Sequence, residues 1–454
     1  METQRLMRVV MFTLCLSAMS GLMFNFVLPD MREEFGLTTA QVSWVSSSYS
    51  LIYGVGTVLY GKLTERIQLR NLITIGLLLF AVGSLVGLFS QVFWMVLVSR
   101  SLQAVGAAAI PATAMLIPVR YIAPERRGSA MATAFVGLSI GSALGPIVSS
   151  LVASIADWRW LFSIPLLILI TIPLYRKYLK EEELQSSGPF DWLGGGLLAA
   201  AITFLLLGVT NGSWWQPLLG VLAIGLLIIR IRTAAAPFVD PGLFRNKSYT
   251  IRLIVMFIVS GIGFSLHFLS PLLLSEVQGL SPGWIGFVMV PAAIASALLG
   301  KAGGRLADGR GDTYLFLVAV GLLLACFALL SSFIGISPVL IAIFLIFGHV
   351  GQTFAMIALS NSVSLSLHKE QAGVGMGLMQ MLNFISAGMA SVVYGKMLDI
   401  KSGIHWNPVH LYTEGNLYSN IYLALAVLLI AIMLFYYVQF GQRESKGIGL
   451  ESPN

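Results

Sequence analysis

The sequence predicts an all-α polytopic membrane protein with fourteen transmembrane helices: two six-helix halves with two further helices inserted between them. Three observations carry this. Of 454 residues, 57% are hydrophobic and only 10% charged, with a mean hydropathy of +0.86, far from the habits of soluble domains. Fourteen apolar runs have the length of about 20 residues that crosses a bilayer as a helix. A short charged motif after the second run recurs after the tenth.

The runs fall at 7–29, 41–60, 71–91, 93–117, 129–154, 160–175, 192–211, 217–231, 251–275, 284–302, 314–334, 337–359, 373–395 and 421–440, with 217–231 the least pronounced. The first follows Arg5 and Arg8, is too long for a signal-peptide core and lacks a small-x-small cleavage site, so it stays as the first span. Cys15 and Cys326 lie inside runs, which argues for packing roles and against a disulfide framework.

The net charge of +7 reflects topology, not nucleic-acid binding. The cations gather in alternate connections: Lys62, Arg66 and Arg70; Arg120, Arg126 and Arg127; Arg176, Lys177 and Lys180; Arg230, Arg232, Arg245 and Lys247; Arg305 and Arg310; Lys369; Arg443 and Lys446. The opposite connections hold Arg32, Arg159 and Lys401. Loop Lys/Arg bias sets orientation, so both termini are expected in the cytoplasm, in a bacterial-type plasma membrane.

The repeat pairs Gly61-Lys62-Leu63-Thr64-Glu65 with Gly304-Arg305-Leu306-Ala307-Asp308: glycine, cation, leucine, small residue, acid. Pro124-Glu125-Arg126-Arg127-Gly128 after the fourth run similarly corresponds to His368–Gly373 after the twelfth, at nearly the same offset. Parallel halves around a central site are a transporter plan. The expected organisation is 1–175 and 249–441 as the halves, 176–248 as a linker carrying the inserted helices, and 442–454 as a cytoplasmic tail.

Individual residues then stand out. Arg100 is a charge well inside a span, where it needs a partner or a cavity; Gln103, about one turn on, is placed to share its network. A tie to backbone carbonyls is the plainer alternative to a role in the proton and substrate pathway. Gly137, Gly141 and Gly145 form a small-residue stripe suited to close helix contact, and Pro146 permits a kink. Asn25, Tyr49, Tyr53, His267, His349, Gln352, Gln380 and Asn383 are polar within apolar surroundings. Singly such residues are more often glue between helices; together they suit a mostly apolar cavity with a few oriented polar groups. Trp44 and Trp160 sit at span ends as interface anchors.

The motif GKLTERIQLR (61–70), Arg100-Ser101-Leu102-Gln103-Ala104 and GLSIGSALGP (137–146) resemble motifs of the major facilitator superfamily and its drug–proton antiporters. DWRWLF (157–162), GPFDWLGG (188–195) and PFVDPGLF (237–244) resemble its fourteen-span branch, with the Gram-positive tetracycline efflux proteins the nearest likeness. The resemblance covers essentially the whole chain. It implies secondary active efflux of an amphipathic, tetracycline-type drug in exchange for protons, by a monomer in the bilayer. It further implies an inner gate built from Gly61, Glu65, Arg66, Arg70, Gly304, Arg305 and Asp308, in which charges bridge helix ends in one state and part in the other. Multidrug or metabolite export is the alternative, and a non-transporting scaffold or sensor a third.

No P-loop, HExxH or nucleophile elbow occurs, so the chain is read as no enzyme, with no cofactor or metal, drawing on an ion gradient. The resemblance also implies acids in spans one, five and thirteen, where this chain has Gly21, Ser142 and Ala387. None of its 20 Asp and Glu residues falls deep in a span. Proton coupling is therefore expected at Asp30 or Glu276 near span ends, or at His267, whose ordinary pKa of about 6.5 suits proton exchange.

Overall fold

In a computed structural model of the chain, residues 2–64, 67–121, 127–179, 191–234, 237–239, 241–367, 372–400, 406–409, 412 and 415–441 are described. Among them there is no strand. The first half contains α1 (Glu2–Met23), α2 (Trp44–Leu63), α3 (Leu69–Leu88), α4 (Phe93–Ala107, resuming over Ala109–Tyr121), α5 (Arg127–Ile155) and α6 (a 3-10 stretch Trp158–Ile170, then Thr171–Tyr178). Then come the inserted α7 (Trp192–Asn211) and α8 (Trp215–Thr233). The second half contains α9 (Lys247–Glu276), α10 (Pro282–Arg310), α11 (Asp312–Ser332), α12 (Pro338–Leu365), α13 (Ala372–Asp399) and α14 (Asn416–Tyr436). Thirteen described helices are long and apolar enough to cross a membrane. The remaining expected span is α2, whose serines and tyrosines (Ser46, Ser47, Ser48, Tyr49, Ser50, Tyr53) dilute its apolar character. The weak run at 217–231 is a full helix, and its exposed Leu218, Val221, Leu222 and Ile229 give it the apolar outer face that lipid solvates.

Local chemistry sets the helix ends. Asn246 accepts from the Tyr249 N–H at 3.1 Å to start α9. Ser281-Pro282 and Ser337-Pro338 place proline at the first helical position of α10 and α12, where no N–H is needed. α1 does not stop at Met23: a 3-10 turn (Phe24–Val27) carries it into a short helix, Leu28–Phe35, which ends on Gly36 with φ 61°. Thr38 and Gln41 then form a capping box for a one-turn helix, Thr39–Val42.

The glycine stripe of α5 does what its spacing suggests. A Cβ added at Gly137 or Gly141 would overlap the carbonyl of Met11 or Cys15, so α1 and α5 touch backbone to backbone there, while Gly145 has more room. α5 continues through Pro146 as one helix.

The two halves meet along two seams, α2 against α13 and α5 against α10. On the first, the Ser47 hydroxyl donates to the Gly388 carbonyl at 2.7 Å. On the second, Gly283 and Gly286 receive Ser154 and Ser150.

The insert is fastened by one buried carboxylate. Asp191 accepts from the Gly194 N–H (3.0 Å), the Phe238 N–H (3.1 Å) and the Arg230 Nε (2.8 Å). It thereby joins the start of α7, the end of α8 and the linker beyond. This ties GPFDWLGG to PFVDPGLF. Burial alone would raise the pKa of Asp191, but Arg230 and the two N–H groups more than offset this and hold it below its ordinary value. At its other end, α7 touches both halves through Thr210, which accepts from Trp44 Nε1 at 2.9 Å and, through its carbonyl, from Lys396 at 3.4 Å. Trp44 is thus more than an interface anchor; Trp160 remains 56% exposed.

Candidate functional site

The 3-10 turn in α1 organises the middle of the bundle. It lays Phe24 on one side of the Arg100 guanidinium, with the ring centroid 4.5 Å away, and Tyr49 of α2 covers another at 4.1 Å. Arg100 is fully buried. It donates to the carbonyls of Ser20 (3.2 Å) and Val45 (3.4 Å) and to Gln103 Oε1 (2.8 Å). Gln103 in turn donates to the Ser84 hydroxyl at 2.8 Å. Four helices are joined through this one cation, and among the described residues it makes no ion pair. Two aromatic faces and three neutral oxygens stand in for a carboxylate.

Next to this nest, between the halves, lies a cavity of about 200 Å³. Phe26 from the same 3-10 turn, Ser142 and Pro146 of α5, Met289 of α10, and His267 and His349 line it, among others, and among the described residues no Asp, Glu, Lys or Arg does. The two imidazoles come from α9 and α12 and meet edge to face, with ring centroids 4.7 Å apart at 70°. His267 bonds the Gly263 carbonyl and stacks against Phe264 at 6.2 Å. His349 is 8% exposed, and its Nε2 has no hydrogen-bond partner.

The other sequence-predicted residues are spread more widely. Arg100 and Gln103 do not line the cavity; the faces of the Arg100 guanidinium are covered by Phe24 and Tyr49. Asn25 is buried and accepts from the Ser46 hydroxyl. Gln352 lies against Gly263, where no Cβ would fit beside it. Gln380 is exposed and Asn383 half-buried on α13, and neither lines the cavity. Glu65, Arg66 and the tail 442–454 lie outside the described residues, as does the Asp308 side chain, so the gate motif is described only at Gly61, Arg70, Gly304 and Arg305.

Sequence reasoning did not find the closure at one end of the cavity. Arg32, past the 3-10 turn, forms an ion pair with Glu276 at the end of α9. Tyr418 donates to the same carboxylate at 2.7 Å, and Arg32 reaches Thr39 at 3.2 Å. The Asp399 carboxylate at the end of α13 accepts the N–H groups of Thr39 and Ala40 at 2.8 and 2.9 Å. An acid at a helix N-terminus is favoured by both the orphan N–H groups and the dipole. Asp30 sits in the first turn of the Leu28–Phe35 helix, at the same end.

A chain of paired six-helix units around a central cavity, closed at one end by contacts between halves, is the architecture of a transporter. The family comparison decides which kind: the profile of the Major Facilitator Superfamily matches residues 10–391. The chain belongs to the Major Facilitator Superfamily. Like its relatives, it is a multi-pass membrane transporter of small molecules, not an enzyme. It is similar to the multidrug efflux pump SdrM of Staphylococcus aureus, 24% identical over 95% of this chain and 96% of that protein. It is also similar to the lincomycin resistance protein LmrB of Listeria monocytogenes, 26% identical over 81% of each. The riboflavin transporter RibZ of Clostridioides difficile is 27% identical over 67% of this chain and 68% of its own. Among solved structures, the nucleoside transporter NupG shares the fold, with a TM-score of 0.69 at 14% identity over 97% of this chain and 100% of that one.

Proposed function

We propose that this transporter is a proton-coupled exporter of amphipathic drugs, working by alternating access, with tetracycline-type compounds as the first candidates. The carrying observation is the mostly apolar cavity between the halves, shut at one end by the Arg32–Glu276 pair and the Asp399 cap. With the termini in the cytoplasm, as the Lys/Arg bias indicates, the shut end is external and the cavity belongs to the outward-closed state. Residues 1–175 and 249–441 are the halves that rock, in a monomer, with the charges of the 61–70 and 304–308 motifs closing the opposite end in the other state. Proton uptake falls to Asp30, Glu276 or His267. Arg100 positions the 3-10 turn of α1 beside the cavity.

A second reading, multidrug export without tetracycline preference, is favoured by the absence of acids from the cavity lining. A metal–drug cation needs a carboxylate there. The relatives SdrM and LmrB support the same breadth. The test is a susceptibility panel on cells with and without the protein, covering tetracyclines, lincosamides and planar dyes. Resistance to at least one class is expected. Selective tetracycline resistance supports the first reading, resistance to several classes supports the second, and no change for any class contradicts both.

A further inference from the structure

We infer that His349 is the hydrogen-bonding anchor of a ligand site specific for uncharged, planar aromatic molecules. This deepens the exporter reading and rests on it for the site's physiological use, though binding itself is separately measurable.

Four features lead there. First, Nε2 of His349 is a buried polar atom without a protein partner, on a residue that lines the cavity. Leaving such a group unpaired is costly, and a bound ligand relieves that cost. Second, the lining has no charged side chain, and the nearby cation, Arg100, is covered by Phe24 and Tyr49. A fixed charge on the ligand would enter a weakly polar space without a counter-charge. Third, the walls suit a ring system: Phe26 and the imidazole of His267 offer aromatic surface, and Met289 a thioether, which packs well against ring edges.

The fourth feature is shape. Ser142, Pro146, Ser150 and Ser154 lie at four-residue spacing on one face of α5, opposite Gly283, Gly286, Ala293 and Ala297 of α10. The two faces interlock at Ser150 and Ser154. Beyond that contact, Ser142 and Pro146 line the cavity together with Ala293 and Ala297, so that much of the lining from these two helices is small and leaves room for a flat molecule. At about 200 Å³ it is smaller than the usual drug pocket of roughly 300–1,000 Å³, which favours a compact fused ring over a branched molecule. Among these lining residues, His349 offers a buried, unpaired Nε2 to a ligand. A ligand that fits carries an N–H or carbonyl on its rim and no net charge.

The experiment measures equilibrium binding of tritiated acridone to the full-length protein in lipid nanodiscs, with empty nanodiscs as background. Acridone is planar and uncharged, with one N–H and one carbonyl. N-methylacridinium, similar in outline but with a fixed positive charge, serves as competitor. Saturable acridone binding is expected, with N-methylacridinium failing to displace it. His349→Phe weakens binding about tenfold, the effect of one lost buried hydrogen bond, whereas His349→Gln, which keeps a polar group there, stays within about threefold. Ala293→Leu, which adds bulk to the lining and leaves the His349 side chain in place, abolishes binding. The proposal is overturned by no saturable binding to wild type, by equal competition from the cation, or by wild-type binding in either His349→Phe or Ala293→Leu. If His349→Phe does not fold, His349→Gln and Ala293→Leu decide. Acridone binding in a protein that fails the susceptibility panel would retain this site and remove the exporter reading; drug export without acridone binding would do the reverse.

Discussion

Arg100 shows how a single residue organises the site without touching the cavity. Its guanidinium satisfies two backbone carbonyls and Gln103, and its faces are filled by Phe24 and Tyr49. Truncation leaves buried acceptors orphaned at about 1–3 kcal/mol each. Arg100→Ala should therefore abolish efflux and lower the melting temperature of the purified protein. Arg100→Lys keeps the charge but not the planar fork that serves three acceptors and two rings at once. It should recover stability in part and retain less than about a tenth of transport. Full transport by the lysine variant would reduce the residue to a point charge. The arginine itself was legible in the sequence, as a lone charge among apolar residues. So was its partner Gln103, one turn on; Phe24 was not, because it is placed by a 3-10 turn that no motif announced, nor were the carbonyls of Ser20 and Val45, which come from other helices. Gln380 and Asn383 illustrate the converse: polarity inside a span marked them, but nothing local tells which face of α13 meets the cavity.

At the scale of elements, glycines and caps do the fastening. Gly141 brings the α5 backbone onto that of α1 at Cys15, so Gly141→Val should separate the helices. Overpacking typically costs about 1–3 kcal/mol, and more is expected here because the obstruction is backbone. The check is the yield of monodisperse protein, with Gly145→Ala, where there is room, as a tolerated control. The close approach at Gly137 and Gly141 was readable from the four-residue spacing; the room at Gly145 was not.

The Asp191 clasp was only half readable: both motifs were visible, their joining was not, since Asp191 and Phe238 are far apart in the chain. Because the Asp191 pKa is lowered in the folded protein, its stabilisation is complete above the unfolded value of about 3.9. It is lost as pH falls through the lowered folded value. Hydrogen exchange at Gly194 and Phe238 should therefore rise on acidification below pH of about 4 in wild type. In Asp191→Asn it should be raised already at neutral pH, by a loss of about 1–3 kcal/mol.

For the whole molecule, composition and repeats predicted the fold: apolar runs of bilayer length, a repeated charged motif and paired linkers specified two halves and an insert. What the sequence could not supply is the conformation. Arg32 and Glu276 belong to different halves, and Thr39 and Asp399 meet across nearly the whole chain, so only the folded structure shows that they shut one end. Breaking this closure by Glu276→Gln with Arg32→Ala should shift the population towards the state open at that end. A cysteine placed at Phe26, on the cavity wall, should then react several-fold faster with an impermeant thiol reagent added outside intact cells. An unchanged rate would mean that the Asp399 cap and the α5–α10 seam suffice alone.

Proton-driven export through the cavity between the halves is tested most directly by drug accumulation in inverted membrane vesicles under an imposed pH gradient, using the compound with the strongest effect in the susceptibility panel. Uptake against the drug gradient is expected when the vesicle interior is acid, with collapse of that uptake on adding a protonophore and near-complete loss with Arg100→Ala. Accumulation that is indifferent to the pH gradient, or that persists at wild-type level in the Arg100→Ala vesicles, would contradict it.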